Sequence, residues 1–225
     1  MTGTIYLGGG GDATDEKHLW RAMLPPKRRV LYWPFALPAE MVLHAQEWLT
    51  TSLIGLELDV ELETWVDLRE HHPDEITHAD LLFVGGGNTF KLLQHVRGSG
   101  FAEAIRSFVA RGGDYYGGSA GAILACADIS IAVGRDENAV GLTDLTGLGL
   151  VREFAVLPYY DDRQRKAAQE WSSDHGSALL GIPERSGVTI RAGYVEVMGR
   201  AAVSEFNGDV VTLRHPGDRW KASPA

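Results

Sequence analysis

Disulfides are excluded at the outset: the 225 residues hold a single cysteine, Cys126, so no intramolecular pair can form. Lying seven residues beyond a serine motif described below, this cysteine reads as a small buried hydrophobe on the helix that follows. Long apolar runs are also missing. No stretch approaches the ~18 residues of a membrane span, and the start, Met1-Thr2-Gly3-Thr4, has neither the basic nor the apolar region of a signal peptide. The expectation is a cytoplasmic protein with no membrane partner. Basic residues are in the minority, 21 Lys and Arg against 30 Asp and Glu, for a net charge of −9. Phosphate backbones need clustered cations, so nucleic acid is not an expected partner. Internal repeats, low-complexity tracts and long linkers are absent, and the length suits one α/β domain over residues 1–225. No pair of histidines has metal spacing with carboxylates, so no metal is expected.

What is present is an alternation of apolar strands, glycine loops and helices. Thr4–Leu7, Arg29–Trp33, Leu56–Leu62 and Asp80–Val84 read as strands. Ala39–Leu53 carries Met41, Val42, Ala45, Trp48 and Leu49 at helical spacing. Asp74–Ala79, Thr89–Val96 and Gly100–Arg111 read as helices. This order predicts a mostly parallel central sheet with helices on both faces. Further on, Ile129–Val133 and Val151–Leu157 read as strands and Arg163–Trp171 as a helix. Ala178–Ile182, Val188–Ile190, Tyr194–Met198 and Val210–Leu213 read as a meander, and the tail after His215 as frayed.

Three glycine-rich loops follow apolar strands: Gly8–Gly11, Gly85–Gly87 and Gly117-Gly118. Ligands bind beyond the carboxyl ends of such strands, so the three loops can meet in one site. The first fits a dinucleotide fingerprint only loosely, as Gly8-x-Gly10-x-x-Ala13, and the next strand ends in Trp33-Pro34-Phe35 with no acid to hold a ribose. No cofactor is expected. The third loop continues as Gly117-Gly118-Ser119-Ala120-Gly121, a G-x-S-x-G elbow that lifts a serine hydroxyl off the sheet between strand and helix. The amides around Gly86 and Gly87, with that of Ala120, the residue after the serine, are candidates for an oxyanion hole.

Val84-Gly-Gly-Gly-Asn-Thr-Phe-Lys-Leu-Leu93, then Arg111-Gly-Gly, then Gly117-Gly-Ser-Ala-Gly121 together resemble the peptidase E family of serine hydrolases, which includes aspartyl dipeptidases and is similar to the cyanophycinases. The similarity runs from about Asp80 to Met198. It implies a fold like the class I glutamine amidotransferases, with serine in place of their cysteine. On this likeness Ser119 is the nucleophile, Gly86, Gly87 and Ala120 form the oxyanion region, and Glu184 in Gly181-Ile-Pro-Glu184 is the acidic triad member. Asp136 falls near another acidic position of the family, with an exposed loop as the equal alternative.

The departure is at Val156-Leu-Pro-Tyr-Tyr160, where the family has a histidine and this chain has Tyr159. An imidazole titrating near ~6.5 takes a serine proton at neutral pH; a phenol titrating near ~10 does not. Tyr159 can still donate a hydrogen bond or bridge Ser119 to Glu184. Among the histidines, His175 follows a helix and reads as a surface residue, and His95 faces solvent or a partner. The family's aspartyl preference is attributed to an arginine after the histidine segment. Here Arg163 and Arg165 are the candidates, with Asn88 of the second loop as a further substrate contact. Two functions follow: a serine hydrolase cutting a small peptide or amide bond through an atypical triad, or a pseudo-enzyme that keeps the pocket for binding or regulation. A glutaminase-like transferase is a distant third, since the elbow carries serine. A homodimer stays open.

Overall fold

The computed structural model describes residues 2–222. Five short strands, β1 (Ile5–Gly8), β2 (Arg28–Trp33), β3 (Val60–Thr64), β4 (Leu81–Val84) and β5 (Asp114–Gly118), pair in parallel in the order β3-β2-β4-β5-β1. Beyond β1 the sheet continues antiparallel through β8 (Ser186–Arg191), β9 (Tyr194–Gly199) and β12 (Arg219–Lys221). Successive side chains on a strand point to opposite faces, and both faces are apolar. One carries Tyr6, Val30, Tyr32, Leu81, Phe83 and Tyr116. The other carries Leu7, Leu31, Trp33, Leu82, Val84 and Tyr115. The first is covered by α1 (Lys17–Met23) and α2 (Ala39–Gly55), the second by α3 (Thr89–Gly98), α4 (Phe101–Ala110) and α5 (Ala120–Ala125). The α/β architecture with helices on both faces is therefore as the pattern implies.

A second, four-stranded sheet runs β11 (Val210–Arg214), β10 (Val203–Asn207), β7 (Ala178–Ile182), β6 (Phe154–Pro158). β6 and β7 are parallel, joined by α6 (Arg165–His175). The C-terminal strands thus do not form one meander. The hairpin β8–β9 extends the main sheet, whereas β7, β10 and β11 build the second.

Three local readings change. Ile129–Val133 is not a strand; a 3-10 turn occupies Ser130–Ala132, where the Asp128 carboxylate accepts the Ser130 amide at 2.6 Å, and this local bond competes with a ladder. The strand read at Leu56–Leu62 begins only at Val60, because α2 persists to Gly55 and Glu57 turns the chain at φ 57°. The tail is not frayed before Ala222: β12 pairs with β9, and the Gly217 amide reaches the Val197 carbonyl at 2.9 Å. The reading of residues 223–225 lies outside the described residues.

Candidate active site

The elbow forms where β5 runs out into α5. Ser119 sits between them at φ 52°, ψ −109°, a left-handed conformation costly for a side chain other than glycine. The turn is tight because β4 and α5 meet backbone to backbone. A Cβ on Gly121 would stand 2.4 Å from the Val84 carbonyl oxygen, so only glycine fits there. Tyr115 fixes the same turn, its hydroxyl donating to the Gly121 carbonyl at 2.8 Å. Ser119 is left half-buried, facing the second glycine loop; a Cβ on Gly86 would lie 3.6 Å from its Oγ. The amides of Gly86, Gly87 and Ala120 have no hydrogen-bond acceptor among the described residues.

Tyr159 follows directly on β6 and also has a left-handed backbone, at φ 53°. Its amide donates to the Gly9 carbonyl at 2.8 Å, which ties the second sheet to the first glycine loop. Its ring lies over Gly10, where a Cβ would be 2.5 Å from the phenol carbon Cζ. Ser119 and Tyr159 line one cavity, yet the Ser119 hydroxyl makes no hydrogen bond among the described residues. Glu184 occupies an exposed turn between β7 and β8, its carbonyl oxygen 2.3 Å from the Cβ position of Gly11. It closes the first glycine loop from outside.

Other sequence candidates have separate work. Asn88 caps α3, accepting the Lys91 amide at 2.9 Å and donating to the Glu137 carbonyl at 2.8 Å. Asp136 binds the same helix start, accepting the Thr89 amide at 2.7 Å. Arg163 forms an exposed pair with Asp161 at 2.6 Å, Arg165 is exposed, and neither lines the cavity. His175 stacks on Trp171 at 4.1 Å at the end of α6, and exposed His95 packs on Phe35 at 5.8 Å. Cys126 is buried, and burial pushes its thiol up to about 12; it carries no thiolate at neutral pH.

The cavity holds about 610 Å³. Its wall is an aromatic cluster in edge-to-face contact, with Phe83 5.3 Å from Trp20 and 5.4 Å from Tyr32. Behind that wall lies Glu16, 1% exposed, which sequence reading missed because a lone acid before a helix has no distinguishing spacing. Its carboxylate accepts the Gly10 amide at 2.9 Å, the Tyr116 hydroxyl at 2.7 Å and the Trp20 indole at 3.3 Å. Burial pushes the carboxyl up to about 7 against the pull of these donors.

With this geometry in view, the likenesses are specific. A 33% identity over 131 residues, 57% of this chain, links it to the uncharacterized peptidase Lin0382 of Listeria innocua, of which 60% is covered. Peptidase E of Escherichia coli is 29% identical over 136 residues, 55% of this chain and 57% of the relative. The matches thus span under two thirds of these relatives' own length. Among solved structures, a Listeria monocytogenes protein named for peptidase E superposes with a TM-score of 0.71 at 25% identity, over 88% of this chain and 99% of that one. A peptidase from an acI-B1 Actinobacterium shares the fold, with a TM-score of 0.71 at 18% identity over 98% and 97% of the two chains. The profile of one family, described as Peptidase family S51, matches residues 5–198, a span holding the elbow, the glycine loops, Tyr159 and Glu184, and the chain belongs to that family.

Proposed function

We propose that this protein is a serine hydrolase that cleaves a small peptide or amide bond, with Ser119 as nucleophile. The observation that carries the reading is the strained Ser119 backbone at φ 52° beside the unbonded amides of Gly86, Gly87 and Ala120. Ser119 Oγ attacks the carbonyl carbon, a C–O bond forms, and the displaced π electrons become an oxyanion held by those amides. Collapse breaks the C–N bond, the amine departs with the proton that left the serine, and water then hydrolyses the acyl-enzyme. Tyr159 stands where an imidazole would, and with no histidine base turnover is slower by about 10²–10⁴.

A second reading has one observation in its favour: no base is bonded to Ser119 among the described residues, which suits a pseudo-enzyme that binds without turnover. A fluorophosphonate probe separates the two. Under the hydrolase reading, mass spectrometry finds an adduct on Ser119 that vanishes in Ser119→Ala. An unlabelled wild type assigns the protein to the binding reading.

A further inference from the structure

The cavity beside Ser119 has a chemistry that its glycine loops do not announce. Among the described residues, its lining contains no Lys, Arg, Asp or Glu. One wall is the aromatic cluster of Trp20, Tyr32, Phe83 and Tyr116; the other is a stripe on α2, with Met41, Ala45 and Trp48 spaced as one helix face. Met41 is 51% and Trp48 48% exposed, so the stripe continues past the sheet and stands open at the mouth. Among the described residues, exposed His44 at the rim is the one lining residue able to carry a positive charge. Lys91, close by on α3, is tied by its ammonium to the Leu37 carbonyl. Behind the wall, the Glu16 carboxyl is taken up by the Tyr116 hydroxyl, which donates to it at 2.7 Å, and offers nothing to a guest.

From this lining we infer that the substrate subsite next to Ser119 takes an aromatic or long aliphatic side chain and rejects a carboxylate. The inference rests on the hydrolase reading for its kinetic form, but the pocket's preference is also readable as binding alone. About 610 Å³ exceeds what one phenylalanine ring fills, so the open mouth admits larger apolar groups. Apolar transfer on this scale separates a fitting side chain from a charged one by tenfold or more. On the far side of Gly87 lies a smaller cleft that holds Lys91 and Arg135 together with Asp136 and Glu137.

The test compares phenylalanyl-, leucyl- and aspartyl-p-nitroanilides on wild type and on Met41→Arg, a change at an exposed position that leaves the core intact. The expected result is kcat/KM at least tenfold higher for the phenylalanyl and leucyl substrates, with Met41→Arg reducing that ratio about tenfold. Equal or greater activity on the aspartyl substrate overturns the inference while leaving the hydrolase reading standing. A second arm is independent of turnover: Ser119→Ala is titrated with N-acetylphenylalaninamide and with N-acetylaspartamide, followed by isothermal titration calorimetry. Tighter binding of the aromatic amide supports the inference even if no anilide is cleaved and Ser119 takes no label, the outcome in which only the hydrolase reading fails. Equal or reversed affinity overturns it.

Discussion

Glu16 puts a titration into the middle of the molecule. Its carboxyl is buried at 1% exposure and titrates at about 7, against 4.5 in an unfolded chain, because desolvation of the charged form outweighs the donors of Gly10, Tyr116 and Trp20. The raised value means that between pH 4.5 and about 7 the folded chain holds a proton the unfolded chain has released. Stability therefore falls as pH rises across that window and levels off above it. The size is about 3 kcal/mol at one carboxyl, from 1.36 kcal/mol per unit. Thermal melts of wild type from pH 5 to 8 should show this decline, and Glu16→Gln should flatten it; an unchanged slope in the variant assigns the titration elsewhere. At this scale the sequence was uneven. Ser119 was legible because an elbow needs glycines at fixed offsets, and Tyr159 because a neighbouring motif marks its place. Glu16 was illegible because its burial is created by strands far off in the chain, with Tyr116 a hundred residues away.

At the scale of elements, α3 shows how a residue suited to a site can belong to a helix end. Asn88 accepts the Lys91 amide and donates to the Glu137 carbonyl, so both its polar ends are occupied. Asn88→Ala should cost about 1 kcal/mol, the usual worth of an N-cap, and lower Tm by roughly 2–4 °C for a chain of this length. Calorimetry beside steady-state kinetics checks this: a lower Tm with unchanged KM fits the cap, whereas a raised KM with unchanged Tm restores Asn88 as a substrate contact. The parallel strands were legible because burial on both faces makes continuous apolar runs such as Leu81–Val84. α1 was not, since its seven residues, Lys17–Met23, hold too few turns for periodicity to register. α2 was read correctly as a helix, but its apolar residues do not all face the core. Leu49 and Leu53 are buried in the core, while Met41 and Trp48 are left at the cavity mouth, and spacing alone does not divide them.

Across the whole molecule, the C-terminal segment is part of the main sheet. β12 covers the edge of β9, Trp220 packs against the core, and the Arg214 guanidinium lies 4.7 Å over the Trp220 ring. Truncation after His215 would uncover that edge, and exposed edges pair with other chains. The expected outcome is a lower Tm and concentration-dependent aggregation by light scattering; a truncated chain that melts and scatters like wild type would mean that β12 contributes nothing. The division of the strands between two sheets was the part of the fold least legible in the sequence. Hairpin signals fix neighbours in the chain, not which sheet each strand joins, as β8–β9 and β10–β11 show. That division has a consequence for the chemistry. The hydroxyl at the end of β5 and the phenol at the end of β6 are carried by separate sheets, bridged by the Tyr159 amide on the Gly9 carbonyl. Their spacing is thus a tertiary quantity, set by residues at the seam between the sheets, and it can shift while both side chains stay the same.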